Sequence, residues 1–407
     1  MNTLWCWRDM DSTVPASRSQ AVHRLREWIK QATQSAIETE RVELGRAAGR
    51  LLAEPVTALA DTPKYDQATM DGYAFPAADD YPLQVVDAVY PEDDPPEISP
   101  GEAVEIATGA PLPKRADAVL RKEDANVSNG RLSGPRLSPG TNRYPAGTTA
   151  SSGEQLFAAG ERLEPRHVAL LRDAGVEAVT VRRRLSAAVL ATGTEIHEGR
   201  QPDRDSEMLC NLLRRWGYRP SLEGTVPDGT TAVRKGIETA AAEHDVVVTT
   251  GGTSVGTADH VVNVLEDHDT LFQGVRLRPG RPTTAAVVDG TPVCALPGKP
   301  VAAHTAAVLV VRPALTGASR LPTISTTLAT RVRLPEADFE YAVPVSLDGE
   351  AMPYGHAESP LSLYEERFAP GRVASSTRVL LADGLVVTRT AIDADDRVEV
   401  VPYEVIE

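Results

Sequence analysis

The chain is poor in cysteine, aromatic residues and lysine, and each shortage limits what the protein can be. Its 407 residues include 3 cysteines, which lie far apart at Cys6, Cys210 and Cys294. This scattered, odd-numbered set forms neither a disulfide framework nor a metal-binding spacing, so we expect a protein of the reducing cytoplasm. Aromatic residues make up 5% of the chain, and 6 of its 42 basic residues are lysines, so arginine carries most of the positive charge.

Long apolar runs, positive net charge and several catalytic motifs are also missing. No segment approaches the length of a membrane span, and the first residues lack a basic-then-apolar signal pattern. With 57 acidic against 42 basic residues the net charge is −15, which repels nucleic acid and anionic membranes. The absence of His-Glu-x-x-His and Gly-x-Gly-x-x-Gly motifs argues against zinc and nicotinamide chemistry.

The length of the chain and its changing pattern predict several domains. Helical spacing of apolar residues predicts helices at Ser17–Thr39 and Val42–Leu52, and another that ends at Gly175 after beginning near Leu156. From Leu185 onward, strands and helices alternate, which indicates a mainly parallel sheet covered on both faces. We therefore predict a multidomain α/β plus β protein, with an N-terminal helical part (1–80 and 150–182), a β-rich insertion (81–149), a central three-layer α/β/α domain (183–319) and a small C-terminal β-barrel (320–407).

A glycine-rich loop follows the most apolar strand of the predicted α/β domain. The β-branched run 245–248 continues into Thr-Thr-Gly-Gly-Thr-Ser-Val-Gly over residues 249–256, and a predicted helix begins at Asp259. Glycine lets a backbone approach a ligand closely, and the free N–H groups of a helix start attract an anion. The simpler alternative is a strand-to-helix turn in which Asp259 is the helix cap.

Three other polar segments are expected at the same edge of this sheet. They are Thr-Gly-Thr-Glu at 192–195, Arg-Pro-Gly-Arg-Pro at 278–282 and Pro-Gly-Lys-Pro at 297–300. In open α/β sheets, ligands bind outside the carboxyl ends of the strands. Together with the glycine-rich loop, these segments offer N–H groups for a phosphate, cations for an oxyanion and carboxylates for a divalent metal ion. We therefore predict a phosphate-containing ligand.

These motifs, taken in order, resemble the MoeA family of molybdopterin molybdenumtransferases, which includes the E domain of gephyrin. Two further motifs carry the resemblance, Asp66…Met-Asp-Gly-Tyr-Ala at 70–74 and Thr-Gly-Ala…Pro…Ala-Asp-Ala-Val at 108–119. The resemblance implies a Mg²⁺-dependent enzyme that inserts molybdate into adenylated molybdopterin and releases AMP. It also implies a homodimer whose active site lies between the α/β domain of one subunit and the N-terminal parts of the other. A molybdopterin-adenylating protein would be the upstream partner, with neither nucleic acid nor a membrane involved.

The resemblance also implies roles for individual residues. Asp66, Glu195 and Asp259 would be the catalytic carboxylates, and Glu195 and Asp259 would hold Mg²⁺. Asp66, Asp71 and Thr108 would come from the other subunit of the dimer. The residues expected to bind the pterin, the adenylate or molybdate are Asp71, Thr108, Thr192, Gly193, Gly251, Gly252, Ser254, Gly256, Arg278, Arg281, Pro297, Lys299 and Pro300.

The sequence departs from the family pattern around this site. Arginine replaces the usual lysine at 278 and 281, which keeps the charge but changes its geometry. The other departures are Thr148, Thr149, Glu207, Thr257, Lys299 and Ala302. They leave open a paralogue that prefers tungstate or is weakly active, and a scaffold protein that binds molybdopterin without inserting metal. A CinA-like nucleotide-processing enzyme is a third alternative, although that resemblance covers only the middle of the chain.

Overall fold

The computed structural model describes residues 14–34, 38–251, 259–318, 320–335 and 338–407. The chain forms two compact units, and the smaller one is Glu38–Arg183. The larger unit contains the described residues before 38 together with Arg184–Glu407. The first helix therefore belongs to the larger unit, whereas the sequence placed it in an N-terminal helical domain. Its apolar face explains the difference, because Ala21, Leu25 and Ile29 are buried in the same core as Trp216 and Val308.

The helices are short apart from the first one and the one at 230–243. In chain order they are α1 (Arg18–Gln34), α2 (His167–Asp173), α3 (Thr194–His197), α4 (Ser206–Arg215), α5 (Thr230–Glu243), α6 (His260–Glu266), α7 (Pro300–Ala306), α8 (Arg312–Thr316), α9 (Pro370–Ala374) and α10 (Tyr403–Ile406). A π-helical segment, Ala307–Val311, joins α7 to α8, and 3₁₀ turns lie at Leu44–Arg46, Lys122–Asp124 and Thr377–Leu381. In the part of the chain that the structure describes, no helix has the length and hydropathy that crossing a membrane requires.

The smaller unit is built from short strands. They are β1 (Thr39–Glu43), β2 (Val56–Thr57), β3 (Gln67–Ala68), β4 (Gly72–Phe75), β5 (Leu83–Val89), β6 (Glu102–Ile106), β7 (Ala118–Arg121), β8 (Asn126–Ser128), β9 (Arg131–Ser133), β10 (Arg143–Tyr144), β11 (Gln155–Phe157) and β12 (Ala178–Arg182). One mixed sheet has the order β7-β4-β6-β5-β9-β8, and β1-β12, β3-β10 and β2-β11 form separate pairs. The Met-Asp-Gly-Tyr motif thus leads into β4, inside the β-rich sheet. Gly72 is required there, because a Cβ at this residue would lie 1.9 Å from the carbonyl oxygen of Leu120.

Of the two helices predicted in this unit, the one at Val42–Leu52 is wrong and the one that ends at Gly175 is shorter than predicted. Residues 39–43 form β1, with Val42 opposite Val179 of β12, and a single 3₁₀ turn follows. The apolar residues of Val42–Leu52 mimic a helical spacing, but they are buried against β12 and α2 rather than along one helix face. The segment 155–157 is likewise a strand that pairs with β2, and the helix before Gly175 extends only over 167–173.

The larger unit contains a sheet that is buried on both faces. Its strands are β13 (Ser186–Thr192), β14 (Arg219–Val226), β15 (Val246–Thr250), β16 (Asp269–Gln273), β18 (Thr284–Val288) and β19 (Thr291–Leu296), while β17 (Leu277–Arg278) lies outside this sheet. Along β13, Ala187 and Val189 pack in a core with α1, α4 and α7, whereas Ala188 and Leu190 pack in a second core with α5 and α6. This alternation produces helix, sheet and helix layers.

The C-terminal part of this unit is a curled antiparallel sheet. Its strands are β20 (Ile324–Thr327), β21 (Glu340–Asp348), β22 (Glu350–Pro353), β23 (Gly384–Thr388) and β24 (Arg397–Pro402). They follow the order β21-β23-β24-β20. On the other side of β21, β22 pairs with it antiparallel and β17 pairs with it in parallel. A bridge between Leu328 and Ala351 brings the end of β20 to β22, so the sheet curls toward closure. With the layered sheet, it makes the chain a multidomain α/β protein.

Candidate functional site

The carboxyl ends of four parallel strands meet at one edge of the layered sheet. The order is β14-β13-β15-β19-β18-β16, and the first four strands run in parallel. Strand β18 runs the other way and begins at this edge, because Thr284 lies opposite Ala295 near the end of β19. The predicted segments 192–195, 278–282 and 297–300 therefore come to the edge at which the glycine-rich loop begins.

Backbone atoms approach each other closely at the centre of this edge. A Cβ on Gly251 would lie 2.3 Å from the carbonyl oxygen of Thr192, and φ at Gly251 is +86°. A Cβ on Gly298 would lie 2.9 Å from Cα of Gly251. Glycine is thus needed at the ends of β15 and β19, since any side chain would push the three strand ends apart. Gly252, Ser254, Gly256 and Thr257 lie outside the described residues.

Glu195 lies in the single-turn helix α3, directly after β13, and hydrogen bonds attach this helix to the segment that follows β14. The N–H of Thr194 donates to Oδ2 of Asp228 at 3.0 Å, and its hydroxyl accepts from the N–H of Asp228 at 2.9 Å. The Glu195 carboxylate folds back over Gly193, where a Cβ would lie 3.1 Å from Oε1. Asp228 was not among the residues predicted for the site, although the Asp228-Gly229 turn signal directly after a strand could have indicated it.

Asp259 is the N-cap of α6, as the simpler interpretation of the loop expected. Its Oδ1 accepts a hydrogen bond from the N–H of Val262 at 3.1 Å. The side chain is half-buried, and burial raises the pKa of the Asp259 carboxyl to about 6, although the bond from Val262 opposes the rise. A capping role and a role toward a cation are compatible, because the cap uses one oxygen and a carboxylate has further lone pairs.

A buried carboxyl at the end of β15 was also missed by sequence reasoning. Asp205, which is 6% exposed, accepts a hydrogen bond from the hydroxyl of Thr250 at 2.8 Å. Among the described residues, its other oxygen has no hydrogen-bond partner, and neither have the hydroxyls of Ser206 and Thr249. Burial raises the pKa of Asp205, and the bond from Thr250 partly offsets that rise. Asp205 therefore ties the start of α4 to the last residue of β15.

We expect Thr250→Val to lower the free energy of unfolding by about 1–3 kcal/mol, because it leaves a buried carboxyl without its donor. Urea unfolding at neutral pH measures this loss. Thr305→Val is the matched control: Thr305 is also buried, but its hydroxyl bonds to the carbonyl of Val301 in its own helix at 2.8 Å. Equal losses in the two variants would contradict a special role for the Asp205–Thr250 bond.

The two cationic segments lie where β19 ends and before β18 begins. Guanidinium carbons of Arg278 and Arg281 lie 4.2 Å and 5.9 Å from the ring centroid of Phe339. Lys299 is exposed and donates to the hydroxyl of Ser375 at 3.0 Å. Pro297 is buried at the end of β19, and Pro300 is the first residue of α7. Phe339 lies far from these residues in sequence, and no local pattern indicated it.

Asp66, Asp71 and Thr108 belong to the smaller unit. The carboxylate of Asp66 makes an ion pair with Arg143 at 3.0 Å and accepts from the N–H of Ala146 at 2.8 Å. One oxygen of Asp71 accepts from both the N–H and the hydroxyl of Thr108, each at 2.7 Å. These two bonds hold the pKa of Asp71 below its ordinary value. Asp66 and Asp71 thus fasten neighbouring loops, which fixes their carboxylates in place.

We expect Thr108→Val to raise the pKa of Asp71 while leaving it below the ordinary aspartate value, because the bond from the backbone N–H remains. Carboxyl-carbon NMR across a pH titration measures this change. Thr141→Val is a suitable control, since the hydroxyl of Thr141 donates to the carbonyl of Ser138 instead. An unchanged Asp71 titration in Thr108→Val would contradict the assignment.

The described residues of this edge do not form a preformed metal cage. Within the described residues, no group of three or more His, Cys, Asp or Glu side chains is placed to hold a metal ion. Mg²⁺ does not require such a cage, since it often binds through one or two carboxylates, waters and the phosphates of a substrate.

The fold and the edge define a class of protein: a multidomain α/β protein with glycines and fixed charges at the carboxyl ends of parallel strands. Two family models match the chain, the MoeA N-terminal region (domain I and II) over residues 17–175 and a probable molybdopterin binding domain over residues 188–317. The first match lies upstream of the α/β part, which separates the chain from the CinA-like alternative.

Similar proteins agree with these matches. A putative molybdopterin biosynthesis protein of Methanocaldococcus jannaschii is 30% identical over 283 residues, which cover 65% of this chain and 71% of that protein. A molybdopterin molybdenumtransferase of Nostoc sp. is 33% identical over 290 residues, or 65% of this chain and 66% of the relative. A MoeA protein of Pyrococcus horikoshii, whose crystal structure is known, has 29% sequence identity to this chain. The two structures superpose with a TM-score of 0.75 over 96% of this chain and 99% of that one. The chain belongs to the MoeA family.

Proposed function

We propose that this protein, a transferase of molybdenum cofactor biosynthesis, inserts molybdate into adenylated molybdopterin and releases AMP. The observation that carries the proposal is the edge at which Thr192, Gly251 and Gly298 meet. The glycines at these strand ends allow a phosphate-bearing ligand to approach the backbone closely, and the half-buried carboxylate of Asp259 lies at the start of the next helix. Arginine and lysine side chains from the other segments supply positive charge for an oxyanion.

The residues at this edge are suited to Mg²⁺, which we propose as the cofactor. Asp259 is half-buried, and the cost of burying its negative charge raises its pKa to about 6. A cation beside it would offset that cost, and Glu195 on the neighbouring turn would be the second carboxylate. When bound, Mg²⁺ would neutralise phosphate charge and stabilise the charge that develops on the AMP leaving group.

We further propose that the active protein is a homodimer. In this proposal, Asp66, Asp71 and Thr108 complete the site on the partner copy, and a molybdopterin-adenylating protein supplies the substrate. Support comes from the way both carboxylates are held by hydrogen bonds at the surface of the smaller unit, where they are preorganised for an incoming ligand. Light scattering of the purified chain and of the Asp71→Arg variant tests the dimer. The rate of AMP release by the variant tests whether Asp71 belongs to the site. We expect the variant to remain dimeric but to lose activity.

The reaction is tested by incubating the purified protein with adenylated molybdopterin, Mg²⁺ and molybdate, and then separating the nucleotide products. We expect AMP to appear only when protein, Mg²⁺ and an oxyanion are all present. Parallel incubations with tungstate and sulfate measure the oxyanion preference. Binding of the adenylated pterin without AMP release would instead favour the scaffold alternative.

A further inference from the structure

One aromatic ring lies close to both arginines of the Arg-Pro-Gly-Arg segment. The guanidinium carbon of Arg278 lies 4.2 Å from the centroid of the Phe339 ring, and that of Arg281 lies 5.9 Å from it. Both distances are within the range at which a guanidinium is attracted to an aromatic face. The two cations, separated by a Pro-Gly turn, therefore share a platform that lies about 60 residues further along the chain.

The backbone around Phe339 fixes this platform in register with the arginines. Strands β17 and β21 pair in parallel, so that Leu277 lies opposite Glu340 and Arg278 lies opposite Tyr341. The N–H of Glu340 donates to the carbonyl of Arg276 at 2.9 Å. Phe339 precedes this pairing by one residue, and the pairing thus determines where its ring meets the Arg-Pro-Gly-Arg segment.

Neighbouring side chains support the same register. The carboxylate of Glu340 makes ion pairs with Arg18 at 2.7 Å and with Arg389 at 3.2 Å. The Phe339 ring lies edge-on to Tyr341 at 6.5 Å, and Tyr341 in turn packs against Phe368 at 6.0 Å. Tyr341 and Phe368 are fully buried, so the ring is supported by a packed aromatic core.

The ring can orient an arginine side chain in a way that it could not orient a lysine side chain. A lysine ammonium presents the same donors in any orientation, whereas a guanidinium donates only in its own plane. Stacking on an aromatic face sets that plane and directs its N–H donors sideways. Two guanidinium groups near one ring also repel each other, and the quadrupole of the ring offsets part of that repulsion. An oxyanion that bridges them would then find its donors already oriented.

We propose that Phe339 is a positioning residue that orients Arg278 and Arg281 as a clamp for a tetrahedral dianionic oxyanion. The inference rests on the proposed function, which assigns molybdate to this edge. It adds that the two arginines and the ring that orients them act together. The ring itself does not touch the oxyanion.

Phe339→Leu tests the device, because leucine keeps an apolar contact but removes the aromatic face. We expect the KM for molybdate to rise about three- to tenfold with little change in kcat, since orientation of a substrate-binding cation is lost. Phe339→Tyr keeps the aromatic face, so we expect its KM for molybdate to stay close to that of the wild type. The concentration of molybdate that gives half of its maximal rise in Tm provides a readout that does not depend on turnover.

The same substitution in an Arg278→Lys background separates orientation from packing. An ammonium does not need its plane set, so we expect Phe339→Leu to have less than half its effect on the KM in that background. An equal effect in both backgrounds, or no effect in the wild-type background, would overturn the role of the ring. The proposed function has a separate test: Arg278→Ala should weaken protection by molybdate at least tenfold, and unchanged protection would remove molybdate from this edge altogether.

Discussion

Asp259→Asn is expected to lower the rate of AMP release at least about a hundredfold while leaving the fold intact. Asparagine keeps an oxygen that can accept the hydrogen bond from the N–H of Val262, so the cap of α6 is preserved. The substitution removes only the negative charge of the carboxylate, which we propose binds Mg²⁺. A loss of rate without a loss of helix would therefore separate the chemical role of Asp259 from its structural role.

The pH dependence of this variant provides a second readout. With a pKa of about 6 before Mg²⁺ binds, Asp259 is mostly ionised at neutral pH, and the concentration of Mg²⁺ needed for half of the maximal rate should rise as pH drops through 6. The folded pKa lies above the ordinary value, so the folded state binds the proton more tightly than the unfolded state does. The contribution of this group to stability therefore decreases as pH rises from about 4 to 6. The asparagine variant should show neither change and should be at least as stable at neutral pH.

Asp267→Asn is the matched control for this experiment. It lies at the other end of α6, where its carboxylate pairs with Arg234 at 2.5 Å on the surface. Exposed ion pairs of this kind contribute about 0–1 kcal/mol, so we expect little change in unfolding and none in AMP release. An equal loss of rate in the two variants would show that general charge, rather than the position of Asp259, is what matters.

Gly251→Ala is expected to lower the free energy of unfolding by about 3 kcal/mol or more and to abolish binding of AMP, the proposed product that keeps the phosphate of the substrate. The added Cβ would lie 2.3 Å from the carbonyl oxygen of Thr192, and φ of +86° is unfavourable for alanine in any case. Relief of the clash must move β13 away from β15, which opens the edge at which the ligand is proposed to bind. Urea unfolding and equilibrium binding of AMP measure the two losses.

Gly199→Ala separates the clash from the backbone conformation. Gly199 also has a positive φ, of +70°, but a Cβ there would meet no atom of the described residues within 4 Å. We expect a loss of about 1–2 kcal/mol and unchanged binding of AMP. If Gly251→Ala behaved in the same way, the close approach of the two strand ends would not be important for the site.

Local sequence patterns were sufficient for the layered sheet and its polar edge. Buried strands such as 245–248 are followed directly by glycine and hydroxyl residues, and a parallel order brings such segments together. The same patterns failed at Val42–Leu52, where burial against β12 more than 130 residues away mimics helical spacing. A helix and a strand can show the same apolar residues over a short segment, and only the distant partner decides between them.

The supporting residues of the site were beyond sequence reasoning for a related reason. Asp205 meets Thr250 across 45 residues, and Asp228 meets Thr194 across 34 residues. Phe339 is still further from Arg278 in sequence, and the two meet because β17 pairs with β21. Each contact depends on two elements whose mutual placement is set by the whole fold. Motifs identify residues that face a ligand, whereas the residues that orient them carry no local signal.

The most direct test of metal insertion is the ratio of AMP released to molybdenum bound in the pterin during a single turnover. Excess protein is mixed with adenylated molybdopterin, Mg²⁺ and molybdate, and both products are quantified over time. We predict one AMP for each molybdenum atom, with both products appearing at the same rate and neither forming without molybdate. Full release of AMP without molybdate, or persistence of the adenylate beside bound oxyanion, would contradict coupled insertion at this edge.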